Sequence, residues 1–236
     1  LDSVGAAVAL RFQRGNLGPV DLGARFVPPK GIGLAVDAHG VVSGGGFLFH
    51  DAAQSMYAGV LQLTLHEVLT LKAYGLIATR MPDGSRGYSL LVFITAEDFR
   101  PIPLGLGFTL QGIGGMLAVH RSFDHEVLRA GLKDGSLAGL LFPRDPVGNA
   151  PALIRALALA FPARRGAYLL GLLVRIGWAS PTLVRFDLAL ILEFGARRRL
   201  LVIGRISALL PSPDNDLVRL NLDALGVLDF DAGTAA

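Results

Sequence analysis

From Leu61 to Arg121 apolar and polar positions alternate with a period of two. Leu61, Leu63 and Leu65 alternate with Gln62, Thr64 and His66, and Leu69, Leu71, Ala73, Gly75 and Ile77 continue the theme. Over Pro103–Gln111, Leu104, Leu106, Phe108 and Leu110 fall on one face of an extended chain, and Gly105, Gly107, Thr109 and Gln111 on the other. One greasy face and one small or polar face mark a half-buried strand, and this strand with its neighbours is expected to form the floor of the fold. Met81-Pro82-Asp83-Gly84-Ser85 reads as a turn, because Pro presets one dihedral and Gly accepts a positive one. It predicts a hairpin joining Val68–Thr79 to Tyr88–Ala96. In the second of these strands Leu90, Val92, Ile94 and Ala96 back onto Leu91, Phe93 and Thr95, a pattern that predicts cover on both sides. Asp98–Pro103 reads as a connection into the Leu104 strand.

Upstream, Val4–Phe12 and Val20–Phe26 flank a turn at Gln13–Asn16. Gly33–Asp37 and Val41–His50 flank one at Ala38–Gly40. Ser43-Gly44-Gly45-Gly46 lies inside a strand, where glycines imply a bulge or a closely pressed neighbouring chain. The texture changes at Ser122. Asp124 can cap a helix over His125–Lys133, with Glu126 near its positive end and Gly135 as a stop. Asn149-Ala150-Pro151 opens a second helix, Ala152–Phe161, apolar nearly all round and so expected deep inside. Strands then return over Ala167–Ile176, Leu183–Phe194, Leu200–Leu210 and Leu217–Asp223 with its continuation to Phe230. Their starts lie about 17 residues apart, as in an antiparallel meander. Leu183–Leu188 and Leu217–Leu222 match position for position, either a faint internal repeat or two strands obeying one inside/outside rule, the latter being favoured.

These elements predict a mainly β (α+β) fold: a large curved antiparallel sheet or partial barrel, with two short helices packed against it. Residues 1–236 form a single strand-rich domain with a helical insertion at about 122–162. The chain has 236 residues, of which 52% are hydrophobic and only 17% charged. That excludes intrinsic disorder and leaves an unusual amount of apolar surface to hide. No run of about 18 uncharged apolar residues occurs, so a spanning helix is not expected. A net charge of +3 with no basic patch gives no sign of a nucleic-acid partner. Without cysteine, disulfides and thiolate zinc sites are ruled out, and the compartment is left open.

The chemistry-bearing residues fall short of a motif. His66-Glu67 lacks the second histidine of a metalloprotease helix. His120, Asp124 and His125 form a local cluster that zinc or iron would accept if the three met, and a polar turn with a helix cap explains them as well. Gly31-Ile32-Gly33 and Gly112–Gly115 do not open a helix after a strand, so no phosphate cradle is expected. Asp214, Asp216, Asp223, Asp229 and Asp231 crowd the C-terminal end and read as a solvated turn and outward strand positions. Arg197–Arg199 reads as a hairpin tip, and Trp178 as packing at a strand corner. No catalytic, cofactor-binding or metal-ligating residue is assigned, and no enzyme is expected.

Val41–Phe47, Thr79–Gly84, Gly107–Gly115, Leu141–Pro146, Ile176–Trp178 and Leu225–Asp231 together resemble a large bacterial family of long, strand-rich proteins, a domain of unknown function. The resemblance implies a module of a longer polypeptide, in keeping with the abrupt start at Leu1 and end near Thr234. It carries over no site residue. The alternating strands and the Leu228–Thr234 ending are also similar to AsmA-like repeating-β-groove lipid-transfer proteins. The expected function is a non-enzymatic structural or interaction module of a larger multidomain protein. Its partners would be flanking domains of the same polypeptide or other subunits. The alternative is lipid or hydrophobic-ligand binding through an apolar β-groove, with Leu104, Leu106, Phe108 and Leu110 as the ligand face.

Overall fold

The computed structural model describes residues 5–11, 21–27, 31–38, 41–52, 55–65, 68–133, 139–212 and 215–235. The first two strands, β1 (Gly5–Arg11) and β2 (Asp21–Val27), form a hairpin of their own. The rest is one antiparallel sheet. Its strands are β3 (Gly31–Ala38), β4 (Val42–Asp51), β5 (Met56–Leu65), β6 (Leu69–Arg80), β7 (Arg86–Gly105) and β8 (Phe108–Arg121), then β9 (Ala163–Trp178), β10 (Val184–Gly195), β11 (Arg199–Ser212), β12 (Asn215–Asp229) and β13 (Thr234–Ala235). These eleven strands lie side by side in chain order, and β3 and β13 do not pair, so the sheet stays open rather than closing into a barrel.

The connection from β8 to β9 carries both helices, α1 (His125–Lys133) and α2 (Ala150–Ala160). Asp124 Oδ1 accepts hydrogen bonds from the backbone N–H of Glu126 and Val127, as expected of an N-cap, while Gly135 lies outside the described residues. Both helices cover the same face of the sheet. Leu76, Leu91, Phe93, Met116, Leu169, Leu173 and Ile191 point towards them and form a core with Leu128, Leu153, Ile154, Leu157 and Phe161. Tyr74 stacks on Phe93, and its hydroxyl donates to the carbonyls of Leu140 and Leu141, which pins the segment before α2 to the sheet.

Four expectations need correction. The Pro103–Gln111 stretch is not one strand: β7 runs through 98–103 to Gly105, and β8 begins at Phe108. Gly105, Leu106 and Gly107 all have positive φ (98°, 52° and 81°), so the two glycines make a turn where Leu/Gly alternation imitates a strand. The expected 98–103 connection is instead a break in register between Glu97 and Ile102. Helix α2 is not buried all round, because Arg155 and Leu159 face solvent. Finally, β7 is covered on one side only. Leu91 and Phe93 are fully buried, whereas Ile94 on the other face is 56% exposed.

The Ser43–Gly46 glycines do what their pattern predicts. A Cβ on Gly45 would lie 2.8 Å from the Leu34 carbonyl oxygen, and one on Gly46 2.8 Å from that of Val60. Neighbouring backbones press on β4 from both sides.

Candidate interaction face

The register of the sheet sorts its residues into two faces of opposite character. On the helix-free face one row runs through ten strands, from Leu34 through Gly46, Leu61, Ala73, Ile94, Gly115, Leu172, Leu190 and Val202 to Gly226. The row on one side runs from Ile32 to Leu228 and the row on the other from Val36 to Ala224. All three contain only aliphatic residues and glycine. Leu170, Leu172 and Leu190 at the centre are about half exposed (56%, 53% and 47%). Strands lie roughly 4.8 Å apart and side chains of one face repeat roughly every 6.6 Å, so three rows over ten strands cover on the order of 800 Å². The largest apolar patch on an ordinary monomer is roughly 300–600 Å².

Aromatic rings border this face. At one end His50 stacks on Tyr57, and Tyr88, His120, Tyr168 and Phe194 form a chain of ring contacts. At the other end Phe108 packs against Phe186, and Phe108 is in register with Trp178.

The helix-covered face holds the charges. Glu97, Gly112, Arg175, Asp187, Arg205 and Asp223 are successive register partners across six strands, a charge ladder interrupted by one glycine. Arg175 grips Asp187 through Nε–Oδ1 at 2.6 Å and Nη2–Oδ2 at 3.1 Å, and reaches Glu97 across Gly112. Lys72, in register with Thr95 in the next row, reaches diagonally to Glu97 at 3.1 Å and donates to the Pro143 carbonyl. Arg205 holds Asp223 in the same two-pronged way. Burial opposes the charge on Arg175, but Asp187 and Glu97 more than offset it and hold the guanidinium protonated. The glycine in the ladder sits in a tight place: a Cβ on Gly112 would lie 3.0 Å from Arg175 Cβ and 3.2 Å from the Phe142 ring.

A second buried cluster lies at the opposite strand ends. Arg199 pairs with Glu193, stacks over Phe123 and shares Ser122 Oγ with Glu193. Arg197–Arg199 is indeed a hairpin tip, but its third arginine turns inward. Arg121 donates to the Phe161 carbonyl at 2.6 Å, and burial lowers its pKa to about 10.

The residues singled out in the sequence are spread over other duties. His120 Nδ1 accepts from the Gly166 N–H, Asp124 caps α1, and His125 pairs with Glu126, so the three do not converge. Among the described residues no group of three or more His, Asp or Glu side chains could hold a metal. Asp223 belongs to the ladder rather than to an outward position, and Asp231 pairs with Arg198 at the β10–β11 tip. His66 and Asp214 lie outside the described residues. Of the proposed ligand face, Leu104 sits beside the β7–β8 tip and Leu106 on it, the latter 93% exposed. Phe108 and Leu110 belong to β8, opposite Trp178 and Ile176. Among the described residues no helix is long and apolar enough to cross a membrane.

A family model described as a family of unknown function, DUF6603, matches residues 1–236. The chain belongs to this family. No curated protein and no solved structure gave a match. For this DUF6603 chain the sequence passed over the ladder. Its one signal was a charge of alternating sign in the middle of each successive apolar strand: Arg175, Asp187, Arg205 and Asp223.

Proposed function

We propose that this chain is a non-enzymatic interaction module whose helix-free sheet face packs against an apolar β-sheet face of a partner protein within a larger assembly. The observation that carries this reading is the three uncharged rows across ten strands with their half-exposed leucines. A face without charge or hydrogen-bonding side chains selects an occupant that is itself apolar and is matched by shape. Its extent is that of one side of a standard protein interface, roughly 800 Å². Two sheets stacked about 10 Å apart bury such faces efficiently. The pairing of the buried carboxylates Glu97 and Glu193 and the partly buried Asp187 with arginines also supports a non-enzymatic role, since those groups are committed to holding the fold.

The second reading is lipid binding, favoured by the aromatic rings at both ends of the apolar rows, which is where amphipathic rings meet a lipid boundary. One experiment separates the two. The purified chain and its Leu172→Asp/Leu190→Asp variant are compared by light scattering after gel filtration and by native mass spectrometry. The assembly reading expects the parent to associate and the variant to be monomeric with unchanged circular dichroism. A monomeric parent carrying acyl chains that the variant loses would establish the lipid reading. A monomeric parent without bound lipid would overturn the lipid reading and exclude a second copy of this chain as the partner.

A further inference from the structure

We propose that a cavity of 590 Å³ on the helix-covered side is a binding site for a small organic anion, with its carboxylate or phosphate group on Arg185 and its apolar part against Leu153 and Leu183. The cavity lies between α2 with the segment before it and the outer ends of β9–β12. It is on the opposite side of the sheet from the interaction face, so this inference stands apart from the assembly reading.

The charge ladder beneath the cavity is neutral by itself: Lys72, Arg175 and Arg205 balance Glu97, Asp187 and Asp223. Arg185 is additional. It stands one step further out on β10, with Gly177 and Ser207 as register partners, neither of which can neutralise it. Its Nε is buried and no protein acceptor reaches it, and among the described residues the side chain has no ion-pair partner. Burial disfavours its charge and the cations Arg175 and Arg144 add to that, while Asp187 and Glu97 offset it only in part. A buried donor without an acceptor is costly. An anion in the cavity supplies both the acceptor and the missing negative charge, in the two-pronged geometry that guanidinium groups favour.

The lining fits an amphipathic ligand. The Thr182 hydroxyl accepts from Gln111 Nε2 at 2.7 Å, which leaves its own proton free to donate into the site. Arg144 lines the same cavity and adds attraction, whereas Asp145, whose Oδ1 holds the Gly148 N–H, disfavours a second anionic group. Leu153 and Leu183 supply an apolar wall. The volume lies within the roughly 300–1,000 Å³ of small-molecule sites.

The test is calorimetric titration of the whole chain with decanoate, decyl phosphate and inorganic phosphate, repeated on Arg185→Met, on Arg198→Met as a surface control, and on the Leu172→Asp/Leu190→Asp variant. One amphiphile should bind per chain. Affinity should fall about tenfold or more in Arg185→Met, the loss of one charged hydrogen-bonded contact, and stay unchanged in the other two variants. Decanoate against decyl phosphate shows which head is preferred. Arg185→Met removes a charge without a partner, so its Tm without ligand should be no lower than the parent's, and decanoate should raise only the parent's Tm. Four results would overturn the proposal: no binding by either amphiphile, binding indifferent to Arg185, binding lost in the Leu172/Leu190 variant, or inorganic phosphate binding as tightly as decyl phosphate.

Discussion

Glu193 and Arg199 meet across the β10–β11 turn, Nε to Oε2 at 2.6 Å, with Glu193 wholly buried and Arg199 nearly so. Glu193→Gln leaves the arginine buried without its counter-charge and should cost about 3–5 kcal/mol in urea denaturation. Replacing both, Glu193→Gln with Arg199→Met, should recover most of that loss. A double-mutant cycle showing simple additivity would mean the pair is not coupled.

Leu157 and Leu159 are two residues apart in α2 but face opposite ways: Leu157 is fully buried and Leu159 is 60% exposed. Leu157→Ala should cost about 2–5 kcal/mol, whereas Leu159→Ala should stay within roughly 0.5 kcal/mol of the parent. Equal losses would mean that the helix packs with a different face towards the sheet.

Tyr74 lies buried between the sheet and the Leu140–Leu141 segment, and burial, aided by Glu97, raises its pKa well above the ordinary phenol value. The unfolded chain releases this proton near pH 10 and the folded chain keeps it. The contribution is therefore fully present below about pH 10 and is lost as pH rises, at up to about 1.4 kcal/mol per pH unit. Tyr74→Phe should lose about 1 kcal/mol at neutral pH through its hydrogen bonds. It should also show a shallower alkaline decline. Parallel stability–pH curves above pH 10 would refute this.

Gly75 occupies a point where β6 and β7 come unusually close: a Cβ there would run into the carbonyl oxygen of Leu91. Backbone cannot rotate away as a side-chain tip can. Gly75→Ala should therefore destabilise by about 1–3 kcal/mol. Hydrogen exchange should quicken at the amides of Gly75, Leu91 and Val92, and unchanged protection would show that the strands can part at no cost.

Much of this fold was written in the period-two pattern. The β6–β7 hairpin, the Met81–Ser85 turn, the four later strands and the Asp124 cap all follow from local rules and stand where those rules put them. The β7–β8 tip was hidden because Leu104-Gly105-Leu106-Gly107 satisfies both an alternating strand and a glycine turn, and only the backbone angles separate them. The charge ladder was hidden for another reason. Glu97 and Asp187 lie ninety residues apart and meet around Arg175 through the register of four strands. Alternation could show that both sides of β7 are apolar, but not which side the two helices would cover.

From β3 to β13, place in the sheet equals place in the chain, and the two margins of that sequence are unequal. No described residue of β3 belongs to the core, whereas β5 already supplies Met56, Ala58 and Val60, so β3 alone is a hem that can change without disturbing the centre. At the other margin β12 packs against α1 through Leu225 and Val227 and holds Arg205 through Asp223. A chain of this design has one margin open to variation in length and one fastened to its interior.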